Sequence, residues 1–237
     1  MDREIRKPLD TGLLLELPPE ILTKWCDFPK NGTFARMGVN GEGSCFFHSV
    51  LSILNPHNFI NLREEEQIKI ANKFRCTFSE KFTLDEFDRL SKRTEKGSEP
   101  RKLRGRGSNQ KKQLQKEFKK AQSAFCKPSV WADETNIRFV SKLLNLNLVF
   151  VDFSRTSHVY CTMHGDEALH NMEECDPIRE LQKTGIIAWI DKSHFEPIVR
   201  IDNSETGEIT GLFDPSVEKD AAFLQHFMTM YKKECNL

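Results

Sequence analysis

Apolar residues recur at helical spacing between Cys45 and Leu54, where Phe47, Val50, Leu51 and Leu54 share one face and Asn55-Pro56 closes the run. A second helical stretch is expected from Glu64 to Phe78. Asp133 is placed to cap a third helix, with Ile137, Val140 and Leu144 on its inner side. Pro18-Pro19-Glu20, followed by Ile21, Leu22 and Trp25, predicts a short helix that starts at prolines. A last amphipathic helix over 216–232 follows Asp214-Pro215-Ser216, with Leu224, Phe227, Met228 and Tyr231 on its apolar side. Strands are expected at Leu148-Val149-Phe150-Val151, at Ile186–Ile190 and, with alternation after His194, at Phe195–Ile201. Helices come first and strands cluster late. The expected fold class is therefore α/β (α+β), a small central β-sheet packed between helices.

Composition narrows the partners. The chain has 237 residues, 38% hydrophobic and 30% charged, enough for one large domain with a real core. Lys+Arg and Asp+Glu balance at 35 each, so net charge offers no case for nucleic acid or a membrane surface. No apolar run is long enough to span a bilayer, and Glu16 interrupts the short run Leu13-Leu14-Leu15. The start, Met-Asp-Arg-Glu-Ile-Arg-Lys, has no signal-peptide character. The cysteines stand at 26, 45, 76, 126, 161, 175 and 235, an odd number in a chain that is not small. Reduced thiols in a cytoplasmic setting are expected, one a candidate for catalysis and the rest small buried apolar groups.

Charge is unevenly spread. The segment 92–120 is rich in Lys and Arg, contains Gly105, Gly107 and Ser108, and is opposed only by Glu95, Glu99 and Glu117. A solvated loop over 101–109 leading into a helix over 110–122 is expected. Phe118 is its one aromatic residue, so base stacking is poorly served and an acidic protein partner fits better than nucleic acid. His158, Cys161, His164, His170 and Cys175 lack the paired Cys-x-x-Cys spacing of a structural zinc site, so neither metal nor another cofactor is expected. Trp25, Trp131 and Trp189 are expected in the core.

The chemistry concentrates at Gly41-Glu42-Gly43-Ser44-Cys45-Phe46-Phe47-His48-Ser49-Val50. A cysteine that opens a helix faces unpaired N–H groups and a positive dipole end, which favour a thiolate. The same N–H groups, with those of the glycine-rich turn, can hold an oxyanion, and glycines let the backbone approach it. The competing reading is a buried cysteine after an ordinary loop. Of seven histidines (48, 57, 158, 164, 170, 194 and 226), His194 stands out, beginning a strand after the turn Asp191-Lys192-Ser193. Glu196, two residues on, projects to the same face and can orient the imidazole. His48 lies on the cysteine's own helix and points along it, so it is expected to pack or hydrogen-bond.

Three ordered blocks resemble the ovarian-tumour (OTU) family of cysteine proteases. Gly-Glu-Gly-Ser-Cys-Phe-Phe-His-Ser-Val is similar to its nucleophile motif, and Ser193-His194-Phe195-Glu196-Pro197-Ile198 to its histidine motif. Between them Val130-Trp131-Ala132-Asp133 leads through a helix to Leu148–Val151, as in that family. The blocks span about 34–201, and the Gly-Ser-Cys-Phe-Phe-His wording is closest to OTU-like proteins of large DNA viruses. The resemblance implies a papain-like OTU fold over 34–237, with residues 1–33 as an extension, expected to be helical and packed on the domain. It implies a deubiquitinating thiol protease that acts as a monomer in the cytoplasm, the host's if the source is viral. Cys45 would be nucleophile, His194 base and Glu196 orienting acid, with Trp131 and Phe195 against substrate. The backbone N–H groups of Glu42, Gly43, Ser44 and Cys45 would form the oxyanion hole. Glu42 replaces the family's commoner Asp, and Glu196 is longer than the usual acid, so Asp191 and Glu42 stand as alternatives. The implied partner is ubiquitin or a ubiquitin-like modifier and its conjugates. Two rival readings are an OTU-shaped module that binds ubiquitin or a host protein without cutting, and nucleic-acid binding through 92–120.

Overall fold

Burial of alternating residues on both faces of a long antiparallel hairpin organises the molecule. In the computed structural model the described residues are 6–18, 33–41, 43–94, 107–153, 161–164, 182–191, 193–203 and 207–234. Among the described residues eight strands form one mixed sheet: β1 (Leu14–Glu16), β2 (Thr33–Met37), β3 (Asn147–Asp152), β4 (Cys161–His164), β5 (Thr184–Ile190), β6 (His194–Asn203), β7 (Glu208–Thr210) and β8 (Leu212–Phe213). The order is β1-β2-β6-β5-β3-β4, with β7 on β6 and β8 on β5. β3 and β5 are parallel and the other pairs antiparallel.

The helices among the described residues are α1 (Cys45–Leu54), α2 (Pro56–Ile60), α3 (Glu64–Lys81), α4 (Leu84–Thr94), α5 (Ser108–Phe125), α6 (Glu134–Leu144) and α7 (Glu218–Glu234). α1 lies on β6 and is backed by α3, and α3 packs on α5. Phe46, Phe47, Val50, Ile53, Phe78, Phe82, Phe125 and Phe139 fill the space between them. Strand alternation separates the two faces of the sheet. Ala35 and Met37 pack beside Ile60 of α2. Phe34, of opposite parity, meets Phe213 and Phe223, so α7 covers the other face. Arg200 of β6 bonds Asp220 of α7 at 2.7 Å and Asp202 at 2.5 Å, anchoring that helix. The fold is a mixed α/β sheet between helices, as the pattern of elements predicts.

The predicted helices at 45–54, near 64–78, after Asp133 and after Ser216 all form, as do the three predicted strands. Asp133 accepts from the Asn136 N–H, which closes the start of α6. Several expectations need correction. β1 and β2 carry no long apolar run and escaped the sequence reading. α4, whose residues are mostly charged, escaped it too. The 110–122 helix is longer, 108–125. The N-terminal stretch 14–16 is a strand where a helical extension was expected. Cys76 and Cys126, 50 residues apart, lie against each other with Cα–Cα 4.6 Å, Cys76 half-buried and Cys126 exposed, where small buried groups were expected. The helix predicted after Pro18, residues 95–106, Trp25 and the His158–Cys175 side chains lie outside the described residues. No helix among those described is long and apolar enough to cross a membrane.

Candidate active site

Cys45 is the first residue of α1, buried, with a free thiol. The turn before it needs glycine at 43. Gly43 has φ +74°, and a Cβ there would lie 2.3 Å from the Pro128 carbonyl oxygen. Sequence reasoning assigned this glycine to close approach of a reacting oxygen. Its structural requirement is the packing of the turn on Pro128-Ser129. The Gly43 N–H donates to Gly41 O at 2.6 Å, so it is engaged within the turn. Glu42 lies outside the described residues.

His194 reaches Cys45 from a separate element. The β5–β6 turn passes through Asp191 in the left-handed region, φ 46°, and the Ser193 N–H donates to Ile190 O at 3.0 Å. His194 pairs with Ile190 at the start of β6, 5% exposed. Ser49 Oγ donates to the Phe195 carbonyl at 3.0 Å, which fixes α1 against the same strand. Gly41 lies along the ring: a Cβ there would stand 3.5 Å from His194 Cε1 and 3.6 Å from Nδ1. Burial pulls the His194 imidazole down, but a hydrogen bond to Cys45, the adjoining Glu196 carboxylate and the charges of both push it up to about 9. The imidazolium is therefore the form favoured at neutral pH.

Glu196 is the carboxylate that meets this histidine, with Oε1 3.4 Å from Nε2, long enough to be an ion pair rather than a well-formed hydrogen bond. It is fully buried. Arg36 Nε lies 2.9 Å from its Oε2, and the Leu9 N–H donates to Oε1 at 2.6 Å. Arg36 Nη2 in turn donates to Lys7 O at 2.8 Å. Burial pulls the Arg36 guanidinium down and Glu196 opposes this. Asp191, the alternative acid, is exposed on the turn.

The remaining candidates separate. Phe195, considered as a substrate contact, is a core residue, with ring centroids 6.1 Å from Phe46, 5.6 Å from Phe150 and 6.3 Å from Trp189. Trp131, expected in the core, is 47% exposed, on the loop that leaves the Pro128-Ser129 contact with Gly43. It lies between α5 and the Asp133 cap, where no regular element turns it inward. His48 packs on Phe59, ring centroids 5.6 Å apart, and burial followed by repulsion from His194 lowers it to about 4. It is thus held neutral beside a charged His194.

Two residues at this site were missed in the sequence. Arg36 lies in a strand too short to show its face, and its partner is 160 positions away in a pairing no local pattern reveals. Arg75 donates to Ser44 Oγ at 2.8 Å, directly before Cys45. A basic residue on the inner face of α3, between Ala71 and Phe78, was its available signal.

No family model and no curated protein matches the sequence. Solved structures do. One is an ovarian-tumour domain in complex with ubiquitin, 11% identical, matched over 86% of this chain and 88% of that chain with a TM-score of 0.45. Another is the Hazara virus OTU bound to ubiquitin, 12% identical over 76% and 96%, TM-score 0.43. A third is the viral OTU domain protease of Dera Ghazi Khan virus, 15% identical over 70% and 80%, TM-score 0.39. Each of these three is an OTU domain, similar to this chain in fold.

Proposed function

We propose that this protein is a thiol protease that removes ubiquitin or a ubiquitin-like modifier from its conjugates. The observation that carries the reading is the convergence of Cys45, at the start of a helix, with His194 and Glu196 from a separate strand. A buried histidine kept charged between a thiol and a carboxylate is built for proton transfer to and from sulfur. The ubiquitin part of the reading is supported by the three ordered motif blocks in the sequence.

In this mechanism the Cys45 sulfur attacks the carbonyl carbon of the bond after the modifier's C-terminal glycine. The carbonyl electrons move to oxygen, and the N–H groups of Ser44 and Cys45 receive that charge. As the intermediate collapses the C–N bond breaks, and His194 gives its proton to the departing lysine amine. A water molecule then attacks the thioester, losing its proton to His194. Its oxygen stays on the modifier as carboxylate, and the thiol is released. Glu196 holds the imidazole in orientation, itself fixed by Arg36 and Leu9.

The test is a ubiquitin probe with an electrophilic C-terminus, applied to the wild type and to Cys45→Ala. The expected result is a covalent adduct in the wild type alone. A folded wild type that forms no adduct with ubiquitin or ubiquitin-like probes yet binds ubiquitin would instead support a binding module.

A further inference from the structure

Among the described residues three arginines are at most 2% exposed: Arg36, Arg75 and Arg200. Arg36 faces Glu196, and Arg200 faces Asp202 and Asp220. Both follow the rule that a buried cation is paired with an anion, because taking an unpaired charge out of water is costly. Arg75 breaks that rule. Its hydrogen-bond partners are all neutral. Nε donates to the Phe125 carbonyl, Nη1 to Ser44 Oγ at 2.8 Å and to Pro128 O at 3.1 Å, and Nη2 to Ala124 O at 3.1 Å and Val130 O at 2.8 Å. Its guanidinium carbon lies 4.8 Å from the centre of the Phe47 ring.

These partners are not arbitrary. Ala124 and Phe125 end α5, where the negative end of the helix dipole favours a cation. Pro128 presents its carbonyl to the turn at Gly43, and Ser44 precedes Cys45. The one guanidinium therefore ties the end of α5 and the loop after it to the turn that carries the thiol. Among the described residues the ionisable group whose charge acts on it is Cys45: burial pulls Arg75 down to about 10, and Cys45 works in the opposite direction. It remains protonated at neutral pH.

We infer that Arg75 is a positioning residue for Cys45, locking the Gly43-Ser44 turn against the 124–130 segment and setting a permanent positive charge beside the sulfur in addition to His194. This rests on Cys45 being the nucleophile. Among the described residues no carboxylate bonds Arg75, and on this inference the group it serves is the Cys45 sulfur.

The experiment is the pH dependence of Cys45 alkylation by iodoacetamide, read from the mass of the Cys45 peptide, in the wild type, Arg75→Gln, Arg75→Lys and Ser44→Ala. Removing the charge in Arg75→Gln should slow alkylation at neutral pH about tenfold and move the acidic limb of the profile toward higher pH. Arg75→Lys, which keeps charge but loses most of the bonds, should keep the wild-type limb. Ser44→Ala, which keeps the charge but cuts the tie to the turn, should lower the rate at every pH without moving the limb. A folded Arg75→Gln with the wild-type limb, or an Arg75→Lys displaced as far as Arg75→Gln, overturns the inference. If Arg75→Gln does not fold, a wild-type rate in Ser44→Ala overturns it. Alkylation is independent of ubiquitin, so a wild type that fails with the ubiquitin probe but shows these shifts would sink the substrate reading and leave the role of Arg75 standing.

Discussion

His194 is held by opposing forces, and their balance makes its titration measurable. Burial favours the neutral ring, while Cys45 and Glu196 favour the charged one and prevail, raising it to about 9. Its folded value lies above its ordinary 6.5, so the stability it contributes is fully present below pH 6.5 and lost as pH rises through about 9. Reactivity that needs the imidazolium should fall over the same alkaline range. Glu196→Gln removes one of the two groups that raise His194. The alkaline limb of probe labelling should then move down by about one pH unit or more. The same change breaks the buried Arg36–Glu196 ion pair, at a cost of roughly 3–5 kcal/mol in urea unfolding. The double change Arg36→Met/Glu196→Gln removes both charges, so it should regain much of that stability while the limb stays displaced. A double variant with the wild-type limb would show that Glu196 does not act on His194. His48 runs the other way. Held near 4, it contributes stability above pH 6.5 that is lost as pH falls toward 4.

At the level of elements, the nucleophile turn is where sequence and structure agree on a residue and differ on its reason. Cys45, His194 and Glu196 were legible because each sits at the start of a strongly patterned element, so strand parity and helix polarity place their side chains. Gly43 was legible as a glycine, but the Pro128 carbonyl it packs against is 85 residues away and leaves no local trace. Gly43→Ala is expected to combine a strained positive φ, about 1–2 kcal/mol, with a collision against main chain that cannot rotate aside. The turn and the 128–130 loop must part, which displaces Cys45 from His194. Labelling by the ubiquitin probe should fall at least about tenfold, with a smaller loss in thermal stability. The neighbouring Gly41→Ala is the control. Its Cβ would meet the His194 ring at ordinary contact distance, 3.5 Å, so labelling should stay within about threefold of wild type. Equal losses in the two variants would remove the Pro128 contact as the reason for glycine at 43. Strands β1 and β2 stayed hidden because three- and five-residue segments are too short to show a period, and β2 places Arg36 where a buried apolar residue is the usual choice.

Across the whole molecule, residues 7–16 reach the candidate site through main-chain bonds. The Leu9 N–H and the Lys7 carbonyl complete the shell around the Glu196–Arg36 pair, and β1 closes the sheet edge on β2. The reading of residues 1–33 as an extension rested on where the recognisable motifs begin, and main-chain bonds to a carboxylate nearly 190 positions away have no sequence signature. The segment is held by Gly38, whose N–H donates to Leu13 O at 2.8 Å and whose carbonyl accepts from the Gly12 N–H at 2.9 Å. There is no room for a side chain there, since a Cβ on Gly38 would lie 2.0 Å from the Asp10 carbonyl oxygen. Gly38→Ala should therefore lift residues 7–10 from Glu196 without shortening the chain, and deletion of residues 1–11 should do the same by removing them. Water then reaches a pair that was fully buried, and Glu196 loses a charge-assisted main-chain bond worth about 1.5–3 kcal/mol. Both variants are expected to lose stability in urea and to label with the ubiquitin probe several-fold more slowly. Leu9→Pro, which deletes the single N–H, should reproduce part of the loss in labelling. If the deletion labels at the wild-type rate, Glu196 needs no help from the N-terminus and the segment is an independent extension after all. If the deletion and Gly38→Ala fall together, the first eleven residues belong to the machinery that orients His194.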